Sequence, residues 1–167
     1  AAKESGFCEE MIKNHDERPT NSFLYNLVMD TYSMGYSTGA YVDMPIGQRV
    51  FLAQFDAIKE VAKEGACVIV GRCADYALSE QAECINIFIY ADLDVRIKRI
   101  MEKYNVSEKE AKDMITKKDK QRASYYNYYS NKKWGQASSY NLSVDSGVLG
   151  IDGTVEMLKN FIDAACK

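Results

Sequence analysis

Residues 67–75 read CVIVGRCAD. Cys67, Val68, Ile69 and Val70 form an apolar, largely β-branched run that meets Gly71 and Arg72 without polar alternation. That pattern predicts a buried strand ending in a turn. In an open α/β sheet, ligands bind beyond the carboxyl ends of the strands. Gly71 permits a tight turn or a close approach of backbone to ligand. Arg72 places a planar, permanently charged fork at the strand mouth, matched to a pair of phosphate oxygens. An arginine leaving a buried strand is costly unless an anion meets it. A ligand phosphate would serve, and so would a structural ion pair with Asp75.

The flanking segments read as helices and strands in alternation. Gln48 to Glu64 has Phe51, Leu52, Phe55, Ile58 and Val61 or Ala62 on one helical face, and Gly65 ends it as a C-cap. Ala74 to Leu78 is a short helical turn. Cys84 to Ala91 (CINIFIYA) is a second buried strand. Asp92 or Asp94 starts a helix to about Tyr104, with Leu93, Ile97, Ile100, Met101 and Tyr104 facing the core. Arg96, Arg99 and Lys103 fall on another face, either solvated or placed where a polyphosphate would sit. Ser107 and Glu110 make a capping box for a helix running to Tyr129. Lys118, Arg122, Tyr125 and Tyr129 share one face of it. Such a face can stack a base on its aromatics or pack those aromatics into a core. Asn131 to Ser139 is a loop, and Tyr140 to Asp145 is an alternating third strand. Ser146 to Gly150 turns, and Asp152 caps a last helix carrying Val155, Leu158, Phe161 and Ile162.

Upstream, Ala1 to Asn14 reads as helix broken at Gly6. Thr20 or Asn21 caps a helix to about Tyr32, built on Phe23, Leu24, Leu27 and Val28. Ser33 to Gly47 is the long irregular stretch, a binding loop or a disordered tip. The opening AAKESGF reads as the inside of a helix already under way, with no initiator Met and no first strand, which points to a longer protein.

Composition narrows the function classes. A chain of 167 residues is long enough for one sizeable core. A net charge of −3 does not advertise nucleic-acid or membrane binding. No apolar run approaches the roughly 18 residues of a membrane span, and no signal peptide opens the chain. The five cysteines (Cys8, Cys67, Cys73, Cys84, Cys166) form no C-x-x-C pair and read as reduced core thiols, which favours the cytoplasm. The single histidine, His15, reads as a solvated helix-end residue and argues against a zinc site or a Ser-His-Asp triad. The phosphate-cradling motif G-x-x-x-x-G-K-[ST] occurs nowhere in the chain.

Helices alternating with buried strands predict a parallel sheet with helices on both faces. The ordered set VIVGRCAD, CINIFIYADLDVRIKRI, KKDKQRASYYNYY and YNLSVDSGVLGIDGTVEMLKNFI resembles the cytidylate-kinase-like family of P-loop nucleoside monophosphate kinases over nearly the whole chain. The resemblance implies an α/β, three-layer α/β/α P-loop kinase fold in one domain, 1–167, with a helical acceptor-binding region at 20–64 and a lid at 107–135. It implies transfer of the ATP γ-phosphate, with Mg²⁺, to a nucleoside monophosphate such as CMP. Arg72 resembles the acceptor-phosphate clamp, with Asp75 nearby and Tyr36 and Tyr41 in the acceptor-binding stretch Tyr36–Pro45. Arg99 and Arg96 resemble arginines beside the ATP adenine or phosphates. Lys118, Asp119 and Arg122 are similar to the basic, catalytic lid. Ser146, Gly147, Val148 and Leu149 resemble the loop that lines the adenine. No side chain is implied as a metal ligand. The implied partner is a nucleotide or another small-molecule phosphate acceptor, with no nucleic acid and no membrane, and homo-oligomerisation is left open.

The chain departs from that pattern in two places. Tyr125, Tyr126, Tyr128 and Tyr129 stand where such lids are denser in Arg and Asp, which leaves another monophosphate or a hydroxyl acceptor open. The first strand, the P-loop and the first helix have no counterpart. The missing strand would lie between 67–71 and 84–91, so both would face an empty slot, at about 1–3 kcal/mol for each unmatched buried backbone group. The expectation is an N-terminal extension carrying the P-loop, with these residues alone binding ATP poorly and inactive. Direct pairing of the two strands, or a second chain in the gap, is the alternative. Two other functions fit the residues: a non-catalytic nucleotide-binding or regulatory protein of the same fold, and a nucleic-acid binder using Lys117–Tyr129, which the net charge opposes.

Overall fold

A computed structural model describes residues 46–80 and 83–166. The expected helices at 1–14 and 20–32, the irregular stretch to 45, His15, Tyr36 and Tyr41 lie outside the described residues. The chain forms two compact units; of the described residues, 46–80 and 124–131 belong to the first, and 83–123 and 132–166 to the second. No helix among the described residues is long and apolar enough to cross a membrane.

The first unit is built on α1, Ile46–Lys63. Phe51, Leu52, Phe55 and Ile58 recur at helical spacing, and all four are buried. Gly65 follows at φ 140°, a conformation open to glycine and strained for other residues. Residues 67–70 then overturn the expectation of a buried strand. They belong to no strand, and Val68 and Val70 are 93% and 86% exposed. The reason is non-local: a strand is stabilised by cross-strand neighbours and a covered face, and among the described residues nothing pairs with this segment. Cys67 is exposed with it, and Cys166 is exposed as well, so among the described residues only Cys73 behaves as a fully buried core thiol. The short helix α2, Ala74–Ala77, follows.

The second unit holds the sheet. Strands β1 (Ile87–Tyr90) and β2 (Leu142–Asp145) pair in parallel, in the register Ile87 with Leu142, Phe88 with Ser143, Ile89 with Val144 and Tyr90 with Asp145. Both strands are shorter than expected, since 84–86 and 91 around the first and 140–141 before the second lie outside the ladder. Phe88 anchors one face, with Trp134 edge-on at 5.4 Å and Tyr140 stacked at 4.9 Å. Gly135 is required there: its φ is 75°, and an added Cβ would lie 3.3 Å from the Phe88 ring.

Helix α3, Leu93–Tyr104, follows β1. Its Ile97 packs with Ala111 and Ile115 of the next helix, and Ile100, Met101 and Val106 close around them. Helix α4 is Glu108–Ser130. Its capping box is formed in both directions: the Glu110 N–H donates to Ser107 Oγ at 3.3 Å, and the Ser107 N–H donates to Glu110 Oε2 at 2.9 Å. The Ser107 hydroxyl, donating to Glu110 Oε2 at 2.7 Å, and then the Ser107 N–H hold the Glu110 carboxyl below its ordinary pKa of 4.5.

The last helix, α5, is Ser146–Ala165 and starts earlier than expected. Asp145, not Asp152, is the cap: the Gly147 N–H donates to its Oδ1 at 2.7 Å. The expected turn at 146–150 is therefore a helical turn followed by a break at Gly150, where φ is 67° and ψ −178°.

Candidate functional site

Two clusters of charged and polar groups form, one in each unit. In the first, the turn after the extended segment is Gly71–Arg72–Cys73, with φ values of 71°, 59° and 54°. Glycine takes such a value without strain, but Arg72 and Cys73 each hold a left-handed conformation that costs on the order of 1–3 kcal/mol. The turn is tied into α2 by Ala74 N–H to the Gly71 carbonyl at 3.1 Å and Ala77 N–H to the Cys73 carbonyl at 3.0 Å. It sets the half-buried Arg72 in the lining of an apolar groove of about 300 Å³, with Gln54, Ala57, Ile58 and Val61 of α1 and Val68, Ile69 and Val70 of the extended segment. Asp75, three residues on, accepts a 2.8 Å hydrogen bond at Oδ2 from the Tyr126 hydroxyl.

The aromatic end of α4 closes this unit. Tyr129 stacks on Phe51 with ring centres 3.8 Å apart and planes 7° apart. Tyr125 meets Phe51 edge-on at 6.1 Å and donates its hydroxyl to Gln54 Oε1 at 3.3 Å. Tyr125, Tyr126 and Tyr129 are all buried. Of the two readings left open by their spacing, core packing is the one that forms, and these rings are not an exposed stacking platform. Lys118 and Arg122, on the same helical row, remain exposed.

In the second unit, the carboxyl ends of β1 and β2 lie at one edge of the parallel pair, and Ser146 sits there. Its hydroxyl donates to the Tyr90 carbonyl at 3.0 Å. Arg99 reaches in from α3, donating from Nη1 to Ser146 Oγ at 2.9 Å and from Nη2 to the Ser146 carbonyl at 2.8 Å. Gly147 is tightly approached: an added Cβ would lie 3.0 Å from Asp145 Oδ1, which would have to give by a few tenths of an ångström. Val148 and Leu149 are exposed on the turn that follows. One helical turn before Arg99, Arg96 forms a two-pronged pair with Asp119, both N–O distances being 2.7 Å. The Asp119 hydrogen bonds raise the Arg96 pKa above its already high ordinary value, against the opposing effect of partial burial.

The structure thus joins Arg96 to Asp119 and Arg99 to Ser146, with Gly147 alongside. It sets Arg72 and Asp75 within one turn of chain. Lys118 lies near Gln121, with its Nζ 3.4 Å from Gln121 Oε1. The residues that sequence reasoning missed are Tyr126 and Gln54. Each meets its partner across a wide separation, 51 residues for Tyr126 with Asp75 and 71 for Tyr125 with Gln54, so no local pattern marks them. Among the described residues, no group of three or more His, Cys, Asp or Glu side chains converges to hold a metal ion. Mg²⁺ in phosphoryl transfer is bound largely through substrate phosphates with one or two carboxylates, so a dedicated cage is not what such chemistry requires.

The sequence matches the cytidylate kinase-like family over residues 1–148. Among solved structures, an uncharacterized protein from Eubacterium ventriosum ATCC 27560 is similar, with 37% sequence identity, a TM-score of 0.67, and coverage of 70% of this chain and 73% of that one. No curated protein matches the sequence.

Proposed function

The chain belongs to the cytidylate kinase-like family, and from that premise we propose that the protein transfers the γ-phosphate of ATP to a nucleoside monophosphate, with CMP or a close relative as acceptor. The observation that carries this reading is the Gly71–Arg72–Cys73 turn. Two consecutive non-glycine residues keep left-handed backbone, and one of them is an arginine that lines a groove. Strain of that kind persists where the surroundings over-determine it, and it concentrates at functional sites.

In this reading Arg72 clamps the acceptor phosphate, with Asp75, Tyr36 and Tyr41 on the acceptor side. Arg96, Arg99 and the Ser146–Leu149 turn serve the donor nucleotide at the carboxyl edge of the sheet. Lys118, Asp119 and Arg122 form the lid. An oxygen of the acceptor phosphate bonds to the γ-phosphorus as the bond from that phosphorus to the ADP oxygen breaks, giving ADP and a nucleoside diphosphate. Such a transfer asks little covalent chemistry of the protein and much fixed positive charge around the moving phosphoryl group. Mg²⁺, when bound with the nucleotide, supplies charge neutralisation between the phosphates. A three-layer α/β/α P-loop kinase domain and a cytoplasmic location go with the proposal.

Replacing the Arg72 fork tests it. Arg72→Ala removes charge-assisted hydrogen bonds worth about 1.5–3 kcal/mol, so kcat/KM for the acceptor falls about 10- to 150-fold while the KM for ATP holds. Arg72→Lys keeps the charge but loses the two-pronged geometry, and it recovers only part of the loss. An Arg72→Ala protein with unchanged acceptor kinetics contradicts the assignment.

A further inference from the structure

Tyr126 does more in this arrangement than fill space. Two adjacent tyrosines on α4 each bury a ring and donate a hydroxyl, but to unlike partners. Tyr125 reaches a neutral amide oxygen, Gln54 Oε1, at 3.3 Å. Tyr126 reaches a carboxylate, Asp75 Oδ2, at 2.8 Å. The second bond is the shorter one, with an ionised acceptor, and bonds of that type are about twice as strong as neutral ones. Its target lies in the first turn of α2, three residues after Arg72. On the acceptor side assigned to it above, a carboxylate repels the phosphate that Arg72 attracts. An ionised carboxylate only accepts hydrogen bonds, so the group it reads carries an O–H or N–H donor.

We propose that Tyr126 is a positioning residue for acceptor recognition: its hydroxyl fixes the Asp75 carboxylate so that Asp75 accepts a hydrogen bond from the uncharged part of the acceptor while Arg72 holds its phosphate. This rests on the acceptor-site reading given above. The donor is a sugar hydroxyl or an exocyclic amine of the base, and both are read by the same chemistry.

The test is equilibrium binding of CMP, dCMP and UMP to the intact protein and to its Tyr126→Phe, Tyr125→Phe and Asp75→Asn variants, with the thermal midpoint of each. Tyr126→Phe keeps the ring and removes only the hydroxyl. It weakens CMP binding about 2- to 12-fold, the range of one net hydrogen bond, and Asp75→Asn weakens it at least as much. Tyr125→Phe, which loses a bond to a neutral amide, lowers the thermal midpoint and weakens CMP binding less than Tyr126→Phe does. If the donor is the 2′-hydroxyl, Tyr126→Phe narrows the gap between CMP and dCMP; if it is the exocyclic amine, the gap between CMP and UMP narrows. Equal effects of the two Tyr→Phe changes on CMP affinity, or no effect of Tyr126→Phe on it, overturn the positioning role and leave the Arg72 assignment standing. A wild-type protein that binds none of the three overturns both.

Discussion

The two halves of α4 are one continuous helix held by opposite means. Residues 108–123 are dominated by charge. They are capped by Ser107 and Glu110, joined to α3 through Arg96–Asp119, and packed through Ala111 and Ile115 alone among their fully buried side chains. Residues 124–130 are dominated by aromatics, with Tyr125, Tyr126, Tyr129 and Ser130 all buried. The first half depends on terms that salt and acid weaken. The second depends chiefly on apolar area and ring geometry, which neither removes, beside the Tyr126 hydrogen bond to the Asp75 carboxylate. A helix that reads as one amphipathic segment therefore has two separate stability controls, and substitutions at its two ends should respond to different conditions.

The largest expected effect is in the aromatic half. Tyr129→Ala removes a buried ring stacked on Phe51 and leaves a cavity, for a loss of about 3–5 kcal/mol by analogy with other aromatic truncations. Denaturant unfolding measures it, and the loss holds at high salt. A loss under 1 kcal/mol on the same denaturant scale would mean that the stack is not a main support of the first unit.

At the capping box the effect is smaller and depends on pH. Ser107→Ala costs about 1 kcal/mol at neutral pH. Because Glu110 has a lowered pKa in the fold, its contribution is present above its ordinary value of 4.5 and is lost as pH falls through the lowered value. Ser107→Ala should therefore lose that segment of acid dependence, while Tyr129→Ala keeps it. Stability curves for the two variants between pH 2 and pH 7 make the comparison, and parallel curves would break the contrast between the halves.

The Arg96–Asp119 pair carries the smallest effect. Its side chains are 33% and 29% exposed, so solvent screens it. A double-mutant cycle should return a coupling of about 0.5–1 kcal/mol at low salt that shrinks in high salt. A coupling indifferent to salt would place this pair with the aromatic half.

Local signals were legible in the sequence, and long-range ones were not. Ser107 and Glu110 announce a helix start within four residues, and the structure forms that bond in both directions. The helical face of Phe51, Leu52, Phe55 and Ile58 follows from spacing alone, and all four are buried. Spacing did not foresee Gln48, which is 0% exposed, and among the described residues neither of its side-chain amide atoms has a hydrogen-bond partner. The runs at 67–70 and 87–90 are almost equally apolar, yet only the second lies in a ladder. What separates them is a neighbouring strand, β2, more than fifty residues downstream of β1, and no window of sequence contains that information. The same holds for the candidate site. Arg72 could be singled out from its own turn and Arg99 from a basic helical face after a strand, while Ser146 came only through the family resemblance. The Tyr126 bond to Asp75 depends on how α4 lies on the first unit's core, and only the fold supplies it.

The central claim is phosphoryl transfer to a monophosphate, and the fate of the γ-phosphate tests it most directly. The intact protein is incubated with ATP labelled at the γ-position, Mg²⁺ and CMP, and the products are separated. The account predicts label in the β-phosphate of CDP, with one ADP formed for each CDP and no transfer when CMP is omitted. Label that stays in ATP, or that appears only as inorganic phosphate whether or not CMP is present, would contradict it.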